Sequence, residues 1–333
     1  MSEITDLLAE GVEEFNSWRA KNRAVSIDLS DSDLSELVLE GVDFSGVNLS
    51  GADLFGCALQ RANLKMADLS DADLSGADLS GAELYKANLT NSALLKTNLE
   101  RADLGSARLT GADLRGTNMC LCNLVEANLS EADLRESDLS GGDLSKSNIA
   151  GANVRFANFS SANVIGMEYL PYPRMRGNYE GIRGLDSCFG NALFVRDAQD
   201  QDYLDTLEVN IEFTSDPFQK RVKEIAFKAW GLIDFGRSLF KPAMYATLIA
   251  VGFGLLFLFD QQVESVQWFN FSDDHSWLSP FYYSVVTFTT LGYGDILPSS
   301  WFGEMLVILE VVVGYSTLGL LLSILANKVA RRS

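Results

Sequence analysis

Residues 71–90 have the sequence DADLSGADLSGAELYKANLT, which shows the repeat that determines how the first half of the chain folds. A leucine recurs every five positions, at Leu74, Leu79, Leu84 and Leu89, and an alanine stands two positions before each of them. An α-helix repeats every 3.6 residues and a β-strand every two, so neither element explains a period of five. A solenoid coil in which five residues form one side and one corner does explain it.

The same period continues without an insertion from Leu29 to Tyr169, which makes 29 consecutive pentapeptides. We expect the large apolar residue and the small residue two positions before it to point inward and to stack from coil to coil, while the intervening Asp or Asn faces water. Cys57 and Cys122 stand at inward small-residue positions, where packing explains them better than redox chemistry. Apolar residues at helical spacing predict that residues 2–20 form an amphipathic helix that covers the end of the solenoid.

The motif A(D/N)LXX, as in GADLS and EADLR, resembles that of the pentapeptide-repeat family over residues 26–169. The resemblance implies a right-handed, four-sided β-helix with four pentapeptides in each coil. The 29 pentapeptides would then form about seven coils. At a strand spacing of about 4.8 Å these coils would make a rod about 34 Å tall.

The second half of the chain has a different composition. No lysine or arginine occurs between Lys241 and Lys328, in a chain with 45 acidic and 26 basic residues and a net charge of −19. Two long apolar runs lie in this segment, residues 243–259 without a charge and residues 302–326 with two glutamates. As a helix, each is long enough to cross a hydrocarbon core of about 30 Å. The alternative, two core helices of a soluble domain, does not explain the missing bases.

Basic residues cluster just before the first apolar run and just after the second. The positive-inside rule therefore predicts that both chain ends lie in the cytoplasm. The loop between the runs, which carries Asp260, Glu264, Asp273 and Asp274, is expected to lie outside. No signal peptide is recognised, so we expect the N-terminal half to stay in a reducing cytosol. The acidic balance argues against nucleic-acid binding. The four cysteines and the single histidine, His275, form no zinc site or disulfide scaffold, and no catalytic constellation is recognised, so an enzyme is not expected.

Between the two apolar runs lie residues 279–296, with the sequence SPFYYSVVTFTTLGYGDI. Ser279 suits the N-cap of a helix and Pro280 its first position, so we predict a helix that ends near Thr289. Ten residues span only about 15 Å, too little to cross the membrane. The segment is therefore predicted to be a re-entrant helix whose negative C-terminal end points toward a cation.

Irregular backbone at membrane depth is tolerated only where it is buried in protein or lines a path for water. The two glycines of TLGYGD allow successive peptides to alternate in handedness, so that their carbonyl groups point the same way. Those carbonyls, with a threonine hydroxyl, can replace the water shell of a cation. The predicted filter consists of Thr290, Leu291, Gly292, Tyr293 and Gly294, with Asp295 at its outer mouth.

TLGYGD, together with the short helix and the flanking apolar runs, resembles the potassium-channel signature over residues 243–327. Because one loop cannot surround an ion, the resemblance implies a homotetramer with closed symmetry in a lipid membrane. Potassium ions would be the permeant species, and no cofactor is implied. The absence of arginine-rich spans implies that there is no voltage sensor.

The resemblance also implies roles for residues around the filter. Val286 stands where the family often carries a glutamate, so Tyr282 or Tyr283 is expected to support the filter instead, by a hydrogen bond to Asp295. Gly314 matches the family's hinge glycine. The inner cavity is expected to be lined by Leu318, Leu322 and Ala326.

Glu310 is an acid inside the second apolar run, and acids within a membrane are candidates for function. A hydrogen bond to a hydroxyl of the pore helix is favoured for it over a role in gating or proton sensing. The segment before the first run shares one apolar helical face, which predicts an amphipathic helix. This helix lies either on the inner membrane surface or on the cytosolic domain.

We therefore predict a mixed fold, a right-handed quadrilateral β-helix plus an all-α membrane pore domain with two transmembrane helices and a re-entrant pore helix. The predicted domains are a capping helix (1–25), the β-helix (26–169), a cytosolic linker (170–241) and the pore (242–333), in a bacterial inner membrane. The predicted function is passive, potassium-selective conduction. The rod is favoured as a rigid spacer or an oligomerisation surface, and the further hypothesis is that it biases the gate through residues 217–241. Rivals are a weakly selective cation channel and a membrane-anchored scaffold whose rod recruits a cytosolic partner. A DNA-mimicking rod is disfavoured by the membrane attachment.

Overall fold

The computed structural model of the chain divides into two compact units, residues 1–210 and residues 211–333. It describes residues 4, 7–8, 10–170, 179–232, 239–262, 268–270, 277–289 and 297–330, without the side chains of 327–330. Each unit has its own architecture, a β-helix in the first and a helical membrane domain in the second.

The first unit is a four-sided β-helix. One residue of each pentapeptide forms a parallel β-bridge with the residue four pentapeptides further on, as Asp28 does with Asn48 and Asp68 with Asn88. Because the bridges return after four pentapeptides, each pentapeptide forms one side of a coil. The predicted mixed fold class, with a pentapeptide β-helix, is confirmed.

The core of the β-helix consists of the residues that the five-residue period picks out. The large apolar residue of every pentapeptide from Leu29 to Val164 is at most 3% exposed. The small inward residues include hydroxyl and thiol side chains, and each of the fully buried ones donates to a backbone carbonyl. Thr97 donates to the oxygen of Leu74 at 2.8 Å, and Cys57 donates through Sγ to that of Leu34 at 2.8 Å. Polar atoms in the core are satisfied in this way, as buried donors must be.

The Asp and Asn residues between the two inward positions serve the turns and the stacking of coils. Oδ1 of Asp68 accepts the backbone N–H of Ser70 at 3.1 Å and the side-chain amide of Asn88, one coil further on, at 2.7 Å. Burial alone would raise the pKa of Asp68, but these hydrogen bonds outweigh it and hold the pKa below its ordinary value. An Asp or Asn therefore joins its own corner to the next coil.

Each corner of the coil contains a residue with positive φ. Every fifth residue from Asp31 to Gly166 lies in the left-handed region, and many of these residues are not glycine; Met66, for example, has a φ of 57°. The third residue of a type II turn needs such a φ, and for a non-glycine residue it costs about 1–2 kcal/mol. The rod therefore stores local strain at its surface, which the regular core offsets.

Helix α1 (Val12–Lys21) covers the first coil. The ring of Phe15 is fully buried and packs edge-to-face on Phe44, with 5.5 Å between the ring centroids. The guanidinium of Arg19 donates to the carbonyl oxygens of Val25 at 2.8 Å and Ser45 at 2.7 Å. Apolar packing and these hydrogen bonds close the open end of the solenoid.

The other end of the β-helix continues beyond the regular repeats. Arg183 forms a parallel bridge with Asn158, and Phe189 forms one with Asn163. The partners in these two bridges are separated by at least one pentapeptide more than the partners in the regular bridges. This part of the chain therefore no longer follows the five-residue period. A short 3-10 turn (Leu185–Ser187) and helix α2 (Ala192–Glu212) follow. In α2 the buried ring of Phe194 lies 6.0 Å from that of Phe159, centroid to centroid, and this packing covers the last coil.

Among the described residues of the second unit, two helices are long and apolar enough to cross a membrane, α4 (Phe240–Gln262) and α6 (Trp301–Ala330). The short helix α5 (Ser279–Phe288) packs against both of them. Strands β1 (Phe269–Asn270) and β2 (Leu297–Pro298) pair antiparallel between these helices.

Helix α3 (Pro217–Leu232) precedes the membrane helices and has no buried side chain. Its exposed large apolar residues are Phe218, Val222, Ile225 and Leu232. Its charged residues are Lys220, Arg221, Lys223 and Lys228 against the single acid Glu224. The pattern is that of a basic amphipathic helix.

Candidate ion-conduction site

The helix that the sequence predicts before TLGYGD is present as α5. It begins at Ser279, so this residue is the first of the helix and not its N-cap; Leu278 occupies the cap position without a side-chain hydrogen bond. Pro280 fits the second position because the N–H groups of the first turn have no partner within a helix. At the other end, the hydroxyl of Thr289 donates to the carbonyl oxygen of Val285 at 2.7 Å.

The predicted filter itself, with its outer mouth, lies outside the described residues, and so does His275. These residues are Thr290, Leu291, Gly292, Tyr293, Gly294 and Asp295. The structure describes the surroundings of the filter segment, which are the end of α5 on one side, β2 on the other, and the two long helices against which α5 packs.

Ser284 joins α5 to both long helices. Its side chain is fully buried, and Oγ lies 2.7 Å from the backbone oxygen of Ala250 in α4. The same Oγ is hydrogen-bonded to Oε1 of Glu310 in α6, whose side chain is also fully buried. A hydrogen bond between Glu310 and a pore-helix hydroxyl, which the sequence favours, is thus present in the structure.

Two glycines allow α5 to lie directly against the long helices. A Cβ at Gly314 of α6 would lie 2.9 Å from the carbonyl carbon and 3.1 Å from Cα of Phe288, at the C-terminal end of α5. A Cβ at Gly254 of α4 would lie 3.2 Å from Cα of Phe281, near its start. Gly314 therefore has a packing reason of its own, beside the hinge role that the resemblance implies. At Gly319, by contrast, a Cβ would meet nothing within 4 Å.

The aromatic rings near the N-terminal half of α5 form a second contact between α5 and α4. The ring of Phe257 is fully buried, 5.3 Å from Tyr283 and 4.7 Å from Phe269 of β1, centroid to centroid. Tyr283 thus packs into this cluster, whereas Tyr282 is exposed. The predicted hydrogen bond from either tyrosine to Asp295 stays a prediction.

Asp260 is a residue whose place the sequence does not reveal. It looks like an acid of the outer loop, but it lies in the last turn of α4 and is buried. Its two carboxylate oxygens accept the backbone N–H groups of Trp268 at 2.6 Å and Phe269 at 2.8 Å. This anchors the strand pair to the helix end. An aspartate at the boundary of an apolar run, just before a tryptophan-containing segment, is the signal that could have indicated it.

The predicted inner-pore residues follow Gly314 along α6. Each step of four residues turns the helix face by about 40°, so successive positions turn away from the face that contacts α5. The side chains of Leu318, Leu322 and Ala326 are exposed within the single chain. Val286, where the family often carries a glutamate, is buried in α5.

Comparison with known families assigns each half of the chain. A family model of ion channels matches residues 244–331. A model of pentapeptide repeats matches in eight copies, within residues 26–61, 52–91, 67–105, 96–124, 102–141 and 127–166. Residues 244–331 are therefore an ion-channel domain, and the protein is a membrane protein.

Solved structures of pentapeptide-repeat proteins are similar to the first half. HetL, involved in heterocyst differentiation regulation in the cyanobacterium Nostoc sp. strain PCC 7120, is 31% identical, with 51% of this chain and 78% of HetL covered and a TM-score of 0.29. Rfr23 from the cyanobacterium Cyanothece 51142 is 29% identical, with 37% and 93% covered and a TM-score of 0.29. QnrB1, a plasmid-mediated fluoroquinolone resistance protein, is 18% identical, with 53% and 96% covered and a TM-score of 0.25. No curated protein matches the chain in sequence.

The first half of the chain thus carries pentapeptide repeats, and the second half adds an ion-channel domain to them. The two resemblances seen in the sequence are confirmed at this level. Potassium selectivity, the tetramer and the roles of single residues stay predictions.

Proposed function

We propose that the protein is a homotetrameric, potassium-selective channel that conducts passively. The observation that carries the proposal is the position of TLGYGD, directly after a ten-residue helix that packs between two membrane-length helices. The C-terminal end of such a helix is the negative end of its dipole and favours a nearby cation. Backbone carbonyls that follow it can replace the hydration shell of potassium.

Four copies of the chain are needed because one filter loop supplies only one side of an ion's coordination shell. The second membrane helix supports this assembly, since large apolar side chains such as Ile308, Val312 and Leu322 are exposed in the single chain. Lipid and neighbouring subunits can cover them, and a closed fourfold ring leaves no open interface. Ion-channel domains of this family generally form oligomers.

The test is ion flux through the purified full-length protein in liposomes. We expect potassium to flow down its gradient, and the reversal potential under a potassium–sodium gradient to follow potassium. Gly292→Ala should abolish the flux, because alanine disfavours the left-handed backbone that an alternating filter needs. Gly252→Ala in α4 is the control, since a Cβ there meets nothing within 4 Å. A reversal potential near zero would favour a weakly selective cation channel, and an intact tetramer without flux would favour the membrane-anchored scaffold.

We place both chain ends in the cytoplasm of a bacterial cell, in its inner membrane. Lysines and arginines flank the ion-channel domain, whereas the connection between the membrane helices carries Asp273 and Asp274. A cysteine introduced by Asn270→Cys, at an exposed position of β1, should react with a membrane-impermeant maleimide added outside intact cells. Reaction only after the cells are opened would reverse the proposed orientation.

The repeat rod is proposed to bias the gate through residues 217–241. Helix α3 supports this role because its apolar face is exposed and basic residues flank it, which suits the inner surface of an anionic bilayer. Deleting residues 1–210 should change the open probability of single channels. An unchanged open probability would leave the rod as a spacer or an oligomerisation surface.

A further inference from the structure

Three helices of the membrane unit meet at one hydroxyl group. Oγ of Ser284 in α5 lies 2.7 Å from the backbone oxygen of Ala250 in α4 and is also hydrogen-bonded to Oε1 of Glu310 in α6. All three groups are buried: Ala250 is 8% exposed, and the side chains of Ser284 and Glu310 are not exposed at all. The arrangement links the pore helix to both long helices through a single atom.

Counting protons shows which group must donate. A serine hydroxyl carries one hydrogen, whereas a backbone carbonyl can only accept. Two oxygens 2.7 Å apart repel each other unless a hydrogen lies between them, so the Ser284 hydrogen belongs to the contact with Ala250. The hydrogen in the contact between Ser284 and Glu310 must then come from the carboxyl group.

The surroundings of Glu310 also favour an uncharged carboxyl group. Its second oxygen, Oε2, has no hydrogen-bond partner among the described residues. The sequence holds no lysine or arginine between Lys241 and Lys328 that could pair with it. A buried carboxylate with one hydrogen bond and no cation is costly, and the neutral acid avoids that cost.

The titratable groups near Glu310 can be named for each helix packed around it. On α5 the titratable side chain that faces it is Tyr283. On α4 the charged side chains are Lys241 in the first turn and Asp260 in the last turn, both far along the helix from Ala250, and residues 243–259 between them contain none. On α6 itself the other acid is Glu304, which is exposed in the first turn of the helix. None of these groups provides a positive charge that would hold Glu310 ionised.

We propose that Glu310 is a neutral carboxylic acid that donates to Ser284, which in turn donates to the carbonyl of Ala250, so that two hydrogen bonds in series fix the pore helix between the membrane helices. Glu310 is thus a positioning residue. Its effect on conduction rests on the proposed channel function, because α5 leads directly into the filter segment. Ionisation of Glu310 removes the donated proton, so the series breaks and potassium conduction falls as the pH rises.

The first test reads the protonation state directly and does not need conduction. Infrared difference spectra of the full-length protein in liposomes, wild type minus Glu310→Gln, should contain the carbonyl band of a protonated carboxylic acid at neutral pH. Glu304→Gln is the matched control on the same helix and should leave that band in place. Ser284→Ala should shift the band, because the carboxyl group loses its acceptor. A carboxylate band in place of the acid band would overturn the proposal even if the channel conducts normally.

The second test measures potassium flux against pH. Wild type should lose flux at alkaline pH, whereas Glu310→Gln, whose amide keeps a donor for Ser284, should conduct with a flat pH profile. Parallel pH profiles of the two proteins would overturn the positioning role. If Glu310→Gln does not assemble, infrared spectra of wild type and of Glu304→Gln, each recorded over a range of pH, still test the proposal. In both proteins the acid band must convert to a carboxylate band over the pH range in which the flux declines.

Discussion

Replacing Gly314 by alanine would place a methyl group against the backbone of helix α5. The added Cβ would lie 2.9 Å from the carbonyl carbon and 3.1 Å from Cα of Phe288, with the carbonyl oxygen closer still. Carbon atoms in good contact are about 3.5–4.0 Å apart. Helices α5 and α6 would therefore have to separate by at least about 0.6 Å at the end of α5 that precedes the predicted filter.

The expected magnitude follows from two opposing effects. Overpacking of this kind costs about 1–3 kcal/mol, whereas a glycine-to-alanine change inside a helix gains about 1 kcal/mol in helix propensity. Gly319→Ala in the same helix is the matched control, because a Cβ there meets nothing within 4 Å. The control should keep the gain without the cost, so the two variants should differ by about 1–3 kcal/mol.

Thermal unfolding of the purified full-length protein in detergent, monitored by the loss of helical circular dichroism, measures the difference. Gly319→Ala should unfold at or above the temperature of wild type, and Gly314→Ala below it. Ion flux should fall for Gly314→Ala, since helix α5 is displaced in this variant. If Gly314→Ala proved as stable as Gly319→Ala, the contact with Phe288 would not constrain this position, and a pure hinge role would account for the glycine better.

Three further predictions concern the repeat unit and are measured on the full-length protein by denaturant unfolding. Leu99→Ala should lower the free energy of unfolding by about 2–5 kcal/mol, because Leu99 is 1% exposed. Leu95→Ala, at a position that is 36% exposed, should lower it far less. Equal losses in the two variants would contradict the inward stacking. Met66→Gly should stabilise the protein by about 1 kcal/mol, since Met66 is 65% exposed with a φ of 57°, whereas Met66→Ala should bring no gain. Hydrogen bonds from Arg115 hold the pKa of Asp113 below its ordinary value of 3.8. The ionised Asp113 therefore stabilises the fold fully above pH 3.8, and this contribution is lost as the pH falls through the lower pKa of the folded state. Asp113→Asn should therefore lose less stability than wild type on acidification, and an unchanged acid dependence would argue against the assigned cause.

The sequence predicts the regular part of the β-helix almost completely, because its period fixes which side chains are inside. The apolar positions from Leu29 to Val164 are all buried as expected. The period does not determine the number of sides in a coil. The family resemblance predicts four sides, and the bridges between residues four pentapeptides apart show four. The last coil escaped prediction because the bridges to Arg183 and Phe189 span a longer, irregular stretch of chain, which leaves no five-residue signal.

The membrane unit was predictable in its elements but less so in its contacts. Apolar length and missing bases indicate the two spans, and TLGYGD indicates the pore helix. The contact of Gly314 with Phe288 depends on how closely two helices approach, which no local pattern encodes. The sequence predicts Asp260 as a charge of the outer loop because an acid at the end of an apolar run usually faces water. In the structure Asp260 is buried and accepts hydrogen bonds from backbone N–H groups.

The return of the β-bridges after every four pentapeptides also determines how the length of the β-helix can change. Removal or duplication of one full coil in the middle would bring the same kinds of residues into the β-bridges again. The chain would then exit from the β-helix in the same direction as before. Removal of a single pentapeptide would shift every later side by one, so the helix α2 that covers the last coil would be turned by a quarter of a coil. Natural variation in such rods should thus occur in whole coils wherever the exit direction of the chain matters, and shorter steps should need compensation near the last coil.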